Sequence, residues 1–317
     1  MTSPFRPPLW AGGPSLIVHG GAGPLARDDD GPAARLAVDG CRAAARAGFE
    51  ILRAGGQALD AAIAAVLALE DDPVFNAGTG SALNLDGDVE CDASVMTGDG
   101  RAGAVGCVRD VRNPIALARL VMERTPHVFL VGPGAEAFGA ACGVPRLPPG
   151  ALVTEQGRRR WQAALATLRT SPSSSGGGTV GCVARDARGH VAAATSTGGT
   201  LLKHRGRVGD SAVIGAGTYA DDAAGAVSCT GAGEAFIKAT AARQAVEALR
   251  AGAAPAEAAR AALALVARYG GDGGLIAVAR SGAVGFAFDT DRMARAWIDP
   301  DGAEGAGFDA DDDQGEA

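Results

Sequence analysis

Aromatic side chains are scarce in this 317-residue chain, at 4% against 47% apolar residues overall. Its core must therefore be built from Ala, Val and Leu. Long apolar runs are missing too. The longest, around residues 61–69, falls well short of the roughly 20 residues that span a bilayer, and no membrane partner is expected. Residues 1–14 have neither the basic nor the apolar stretch of a secretory signal. Six cysteines (Cys41, Cys91, Cys107, Cys142, Cys182, Cys229) lie tens of residues apart, without metal-ligand spacing or the density of a disulfide scaffold. They read as buried free thiols in a reducing cytosol, which predicts a cytoplasmic protein. Lysine is nearly absent, with only Lys203 and Lys238, and there is no Gly-Lys-Ser/Thr phosphate loop. Gly-x-Ser-x-Gly and His-Glu-x-x-His are absent as well. The glycine doublets at 78–80, 215–217 and 231–233 lack the third glycine of a dinucleotide loop.

A charge surplus of one sign is also missing from the body of the chain. Residues 301–317 hold seven acidic residues and no Lys or Arg, which accounts for the whole net charge of −7 and leaves 29 charges of each sign elsewhere. A neutral body lacks the basic footprint of a nucleic-acid binder. The acidic tail itself reads as a solvated, disordered end.

Apolar periodicity places a strand at 15–19, running into the glycine turn 20–23, then helices at 32–54 and 58–70. Asp86-Gly87 signals a hairpin. Strand, helix, strand and helix follow at 102–108, 115–123, 127–131 and 135–141. Residues 143–178 are biased to Pro, Arg, Ser and Gly and read as a linker with one helix at 158–168. Beyond it come strands at 180–184, 191–195, 212–215 and 226–229, helices at 234–251 and 255–269, and a final hairpin of 275–278 with 284–288. Strands gather at the edges of each half with helix pairs between them, an α+β arrangement without strict βαβ alternation.

The chemistry concentrates after the linker. The run Ser171-Pro-Ser-Ser-Ser-Gly-Gly-Gly178 ends abruptly at Thr179-Val180-Gly181-Cys182, a β-branched strand whose first residue is a hydroxyl nucleophile. Cleavage of the Gly178–Thr179 bond would give Thr179 a free α-amine, with an ordinary pKa of about 7.7–8.0. One residue would then carry both nucleophile and general base. Strand-opening threonines are common for structural reasons, so the junction needs support from elsewhere. Thr195-Ser-Thr197-Gly-Gly199-Thr200 is a hydroxyl cluster at a strand end. It could supply a second hydroxyl for a nucleophile, but taken alone it reads as ordinary strand threonines before a glycine turn. Gly206-Arg207-Val-Gly-Asp210-Ser211 suits a zwitterion clamp, guanidinium on an α-carboxylate and carboxylate on an α-ammonium, or a surface ion pair. Cys229-Thr230-Gly231-Ala-Gly-Glu234 runs a strand into a helix start, where outward N–H groups suit an oxyanion or Thr230 simply caps the helix. His19, ending a strand beside glycines, reads as a packed core or turn histidine.

The order and content of these segments together resemble the plant-type L-asparaginases and bacterial isoaspartyl peptidases of the N-terminal-nucleophile hydrolases. The likeness covers nearly the whole chain: His19 to Gly23, Asn76 to Ser81, Arg112-Asn113-Pro114, Pro126-His127-Val128, Thr179 to Gly181, Thr195 to Gly199, Gly206 to Ser211 and Ser228 to Glu234. The resemblance implies a four-layer αββα sandwich made as one precursor and cut before Thr179. Fragments 1–178 and 179–317 would then share one structural domain. It implies Thr179 as nucleophile, Thr197 as its supporting hydroxyl, and Thr230 with Gly231 as the oxyanion hole. Arg207 and Asp210, with Gly199, would bind substrate. Gly20 and Gly21 of the His-Gly-Gly loop, together with Asn76, would support cleavage after Gly178. No cofactor is implied for catalysis. A structural Na⁺ would rest on the backbone carbonyls of Leu69, Glu70, Asp72, Phe75, Ala77 and Thr79, an all-oxygen set suited to a hard cation. The implied assembly is a dimer of processed αβ heterodimers. The sequence departs from the family pattern at Gly178, where relatives often carry Asp, a difference that bears on the rate of self-cleavage.

The implied activity is hydrolysis of the side-chain amide of L-asparagine and of β-aspartyl dipeptides through a threonine β-aspartyl ester. Two other readings remain at this stage: a glycosylasparaginase-like or other threonine amidase, and a non-catalytic relative that only binds amino acids.

Overall fold

Which face of each strand a residue occupies decides almost everything about the site, because side chains alternate along a strand with a period of two. The computed structural model describes residues 12–23, 31–168 and 178–310. Its first part comprises β1 (Ser15–Gly23), α1 (Pro32–Arg53), α2 (Ala58–Asp71), β2 (Cys91–Thr97), β3 (Ala102–Val108), α3 (Pro114–Arg124), β4 (Phe129–Val131), α4 (Gly132–Ala141) and α5 (Glu155–Leu168). The second part holds β5 (Val180–Arg185), β6 (Val191–Thr197), β7 (Thr218–Asp221), β8 (Gly225–Gly231), α6 (Gly233–Ala239), α7 (Ala241–Arg250) and α8 (Pro255–Ala267). It ends with β9 (Gly273–Ala279), β10 (Val284–Phe288), β11 (Arg292–Ile298) and β12 (Glu304–Gly307).

This is a mixed α/β fold with two sheets among the described residues. An eight-stranded sheet runs β12-β11-β1-β5-β6-β2-β3-β4 and a four-stranded sheet β10-β9-β8-β7. Neighbouring strands are antiparallel except for the parallel pair β3–β4. Helices α1 to α4 pack on the larger sheet, α7 and α8 on the smaller, and β1, β5 and β6 pack across to β8 and β9. With both faces covered, strands read as continuous apolar runs. Even so, the two faces enter different cores. Leu16, Val18, Val180, Cys182, Ala192 and Ala194 join the core under α1 and α2. Ile17, Val183, Val191 and Ala193 meet Ala226, Ile276 and Val278 between the sheets. The inward positions of β5 and β6 are therefore the odd-numbered ones, which turns Thr195 and Thr197 toward the second sheet. The same alternation puts Val227 and Cys229 under α6 to α8 and turns Ser228 and Thr230 inward.

Several expectations change. The helix read at 234–251 is two helices, because Thr240 adopts left-handed dihedrals (φ 50°, ψ 46°) between α6 and α7. No strand forms at 212–215; Asp210–Ala212 is instead a single 3₁₀ turn. The acidic tail is exposed at 301–304 as expected but not disordered there, since Glu304–Gly307 pairs with β11 as an edge strand and Glu304 takes Arg46 at 2.8 Å. Residues 311–317 lie outside the described residues. Within the expected linker, α5 begins at Glu155 and Trp161 donates its Nε1–H to the Asn84 carbonyl at 2.8 Å; the Ser171–Gly177 run is outside the described residues. All six cysteines are free thiols, but Cys142 is exposed and Cys107 only half-buried, so burial holds for four of them.

Candidate active site

Thr179 opens β5 on the inward face and is buried. Its Oγ1–H donates to Thr197 Oγ1 at 3.2 Å. Thr197 in turn donates to the Gly178 carbonyl at 3.3 Å and accepts from the Gly199 N–H at 2.9 Å. The two hydroxyls meet because β5 and β6 are antiparallel neighbours, with Val180 opposite Ser196. The Gly178 carbonyl has a second donor, Asn76 Nδ2 at 2.6 Å, which also donates to the Gly199 carbonyl at 2.7 Å. Asn76 is itself fixed by the Ala82 N–H on its Oδ1 at 2.6 Å. A carbonyl polarised by two donors, next to a hydroxyl of the following residue, is set for nucleophilic attack on that peptide bond.

Of the two β1 glycines expected to support the junction, Gly21 faces it, whereas Gly20 faces Phe75 and Cys41. A Cβ on Gly21 (φ 112°) would stand 2.9 Å from the Gly178 Cα, and one on Gly20 would enter the Phe75 ring at 2.4 Å. Between these glycines and the core, His19 is fully buried. A carbonyl can only accept, so Nδ1–H donates to the Thr179 carbonyl at 2.9 Å. Burial lowers the His19 pKa to about 3, against a smaller opposing effect of that bond. The ring is thus neutral, and its Nε2 accepts from Ser228 Oγ at 2.9 Å. Thr195 lies 2.8 Å beyond Ser228. His19 is therefore the packed core histidine the sequence allowed for, and it links the Thr179 backbone to Ser228 of the second sheet.

Thr230 does not cap α6, whose N-cap is Ala232 with no side-chain bond. Its Oγ1 accepts the Ala22 N–H at 3.1 Å, and the hydroxyl proton remains for another acceptor. Gly231, with φ 144°, ends β8 where a Cβ would strike the Asp272 carbonyl at 2.3 Å. A small cleft is lined by Thr179, Thr197, Gly199, Thr200, Arg207, Asp210 and Gly231. Six of the sequence-predicted residues thus come together here, while Thr230, one residue before Gly231, is buried and not among the lining residues.

The two clamp residues are not paired with each other. Arg207 presents its fork to Glu234, Nε to Oε1 and Nη2 to Oε2, both at 2.9 Å. Asp210 is buried, and its Oδ2 has no hydrogen-bond partner. Burial pushes its carboxyl up to about 7, with Arg207 pulling the other way. An orphaned carboxylate oxygen this deep is costly unless a cationic donor completes it. Glu234 as partner of Arg207 was missed from sequence; its only signal is its place in the segment that carries Thr230.

The loop after α2 was expected to hold Na⁺. Leu69 and Glu70 lie in the last turn of α2, whose carbonyls lack helical partners and carry the negative end of the helix dipole. A Cβ on Gly80 would meet the Pro73 and Phe75 carbonyls at 2.6 and 2.8 Å, so carbonyl oxygens do converge here. Two of the expected donors also serve the loop itself: the Glu70 carbonyl accepts from Thr79 N–H and the Asp72 carbonyl from Phe75 N–H. A carbonyl has two lone pairs, so neither bond removes its acceptor as a cation donor; of the expected set only Phe75 is placed beside another carbonyl at Gly80, that of Pro73.

The asparaginase family profile matches residues 12–307. The human isoaspartyl peptidase/L-asparaginase is 48% identical over 274 residues, covering 85% of this chain and 88% of that protein. The Xenopus laevis protein of the same name is 45% identical, covering 91% and 93%. A plant-type L-asparaginase from Pyrococcus abyssi is 43% identical, covering 90% and 96%. With a match along nearly its entire length, the chain belongs to the asparaginase family.

Proposed function

We propose that this chain cuts itself between Gly178 and Thr179 and then hydrolyses the side-chain amide of L-asparagine and of β-aspartyl peptides. The observation that carries the reading is the Thr179 hydroxyl bonded to Thr197 beside a Gly178 carbonyl held by Asn76 and Thr197. In the precursor, Thr179 Oγ1 attacks the Gly178 carbonyl carbon and the C–N bond breaks, leaving an ester. The Oγ1 proton passes to the departing nitrogen, so the Thr179 amine is free at this point; water then cleaves the ester, giving a Gly178 carboxylate and restoring the Thr179 hydroxyl.

In the processed enzyme that amine takes the Oγ1 proton, and Oγ1 attacks the substrate's side-chain carbonyl. The Thr230 hydroxyl and Gly231 N–H hold the oxyanion. Ammonia or an amino acid leaves with the proton, and water hydrolyses the β-aspartyl ester to aspartate. Specificity follows from the clamp. The substrate α-carboxylate takes the Arg207 fork from Glu234, and the α-ammonium completes the orphaned oxygen of Asp210. Asparagine and β-aspartyl peptides present both charges, whereas an ordinary α-aspartyl peptide bond consumes the carboxylate.

The same reading takes the two sheets and their helices as a four-layer αββα sandwich, built jointly by fragments 1–178 and 179–317. Two such heterodimers would assemble as a dimer, with Na⁺ stiffening the loop under Asn76. The test is a comparison of L-asparagine, a β-aspartyl dipeptide and its α-aspartyl isomer. Hydrolysis of the first two and not the third is expected; hydrolysis of none overturns the reading.

A further inference from the structure

Beneath the clamp lies a buried charged group that none of the chemistry above uses. Glu90 and Asp92 flank Cys91 where the chain enters β2, so their side chains share one face. The register sets Asp92 directly opposite Thr197, on the inward side. Glu90, Asp92 and Lys203 are all buried, and Lys203 donates Nζ–H to the Glu90 carbonyl at 2.6 Å. Buried charges of this kind are kept only when paired and hydrogen-bonded. What the two carboxylates bond to is informative. Glu90 Oε2 accepts the Gly206 N–H at 3.2 Å, and Asp92 Oδ2 accepts the Gly209 N–H at 3.4 Å. These two N–H groups bracket Arg207 in the chain. The other oxygen of Asp92 takes the Cys107 N–H at 2.8 Å, and Glu90 Oε2 also accepts from Asn84 Nδ2 at 3.2 Å.

The loop is also held by a turn bond from the Arg207 N–H to the His204 carbonyl at 3.0 Å. Gly206 has φ +83°, and Arg205 ties the outer side through exposed ion pairs to Asp86 and Asp88, which are weak. Lys203 also lies under the nucleophile's side of the cleft, where a Cβ on Gly199 would come 2.7 Å from its Nζ. One ammonium thus lies beside Gly199 and on the Glu90 backbone carbonyl, and its charge favours the ionised form of Asp92.

We propose that Glu90 and Asp92, balanced by Lys203, are positioning residues that fix the Gly206–Gly209 backbone and so aim the Arg207 guanidinium at the substrate α-carboxylate. This rests on the asparagine-hydrolysing reading above and deepens it. Burial raises the Asp92 pKa, while the Lys203 charge, the two N–H donors and Arg207 favour its ionised form. The carboxylate is therefore useful only while those partners are in place.

The test is Asp92→Asn in the processed full-length protein. The amide nitrogen cannot accept, so it must face either the Cys107 or the Gly209 N–H, and a donor-to-donor contact there releases one end of the loop. KM for L-asparagine is expected to rise about tenfold with kcat within about twofold. Self-cleavage should proceed at the wild-type rate, because Asn76 and Thr197 hold the Gly178 carbonyl without this group. Unchanged KM overturns the proposal. So does a joint fall in kcat, cleavage rate and Tm, which would make Asp92 merely a support for Thr197. Should Asp92→Asn fail to fold, Glu90→Leu, which removes the acceptor of the Gly206 N–H, makes the test from the Gly206 side. Absence of activity in the wild type would instead count against the reading on which the proposal rests, so the two failures are distinguishable.

Discussion

Replacing Arg207 by lysine keeps the charge and most of the length but removes the planar fork. In the substrate-free structure that fork makes two parallel bonds to Glu234, each 2.9 Å, and the Arg207 side chain is only 16% exposed while Glu234 is 64% exposed. Glu234 thus occupies the place of a substrate carboxylate on a side chain free to swing into solvent. A substrate carboxylate would inherit both bonds, and an ammonium on a single stem replaces them with one. Loss of one charge-assisted bond in a largely desolvated site is worth about 1.5–3 kcal/mol, or roughly tenfold to a hundredfold in kcat/KM. The assay is steady-state hydrolysis of L-asparagine by Arg207→Lys beside the wild type, with fragment masses recorded on both. Self-cleavage should be unaffected, because no substrate carboxylate takes part in it. Wild-type kcat/KM in the lysine variant would refute the clamp and leave the Arg207–Glu234 pair a surface ion pair.

Asn76→Ala removes the 2.6 Å donor on the Gly178 carbonyl and should slow self-cleavage by about a hundredfold, the usual loss for one oxyanion donor; a time course of precursor mass checks it, and an unchanged rate rejects the role. Asp210 has its carboxyl pushed up to about 7 by burial, so its neutral form gains as pH falls through that value. The ammonium anchor is lost with the charge, and KM for L-asparagine should climb below about pH 7. In Asp210→Asn, whose KM is high throughout, that rise should vanish; a rise that persists in the variant assigns it to another group.

Much of the site was legible because it depends on strand alternation. Thr195 and Thr197 share one face of β6 while Ala192, Ala194 and Ser196 share the other, and Ser228 and Thr230 share one face of β8. The helix pairs were legible from apolar periodicity. Strand β11 was not, because Arg292 and Arg295 interrupt its pattern. Arg295 is buried with its guanidinium 4.4 and 5.2 Å from the Phe286 and Phe288 rings, a tertiary contact that no local signal announces. The break at Thr240 is similarly tertiary, since good helix formers surround it on both sides. Glu234, Glu90 and Asp92 stayed hidden for another reason. Acidic residues in a loop or a strand entrance look solvated until the fold shows which N–H groups or guanidinium they face.

The central claim is that Thr179 is the nucleophile for both cleavage of the chain and hydrolysis of substrate. Intact-mass spectrometry of the purified protein tests it most directly, on the wild type and Thr179→Ala prepared without added protease. The wild type should convert into fragments 1–178 and 179–317 and hydrolyse L-asparagine. Thr179→Ala should remain a single inactive chain of full mass. Cleavage at another bond, or cleavage and activity persisting in Thr179→Ala, would contradict the account.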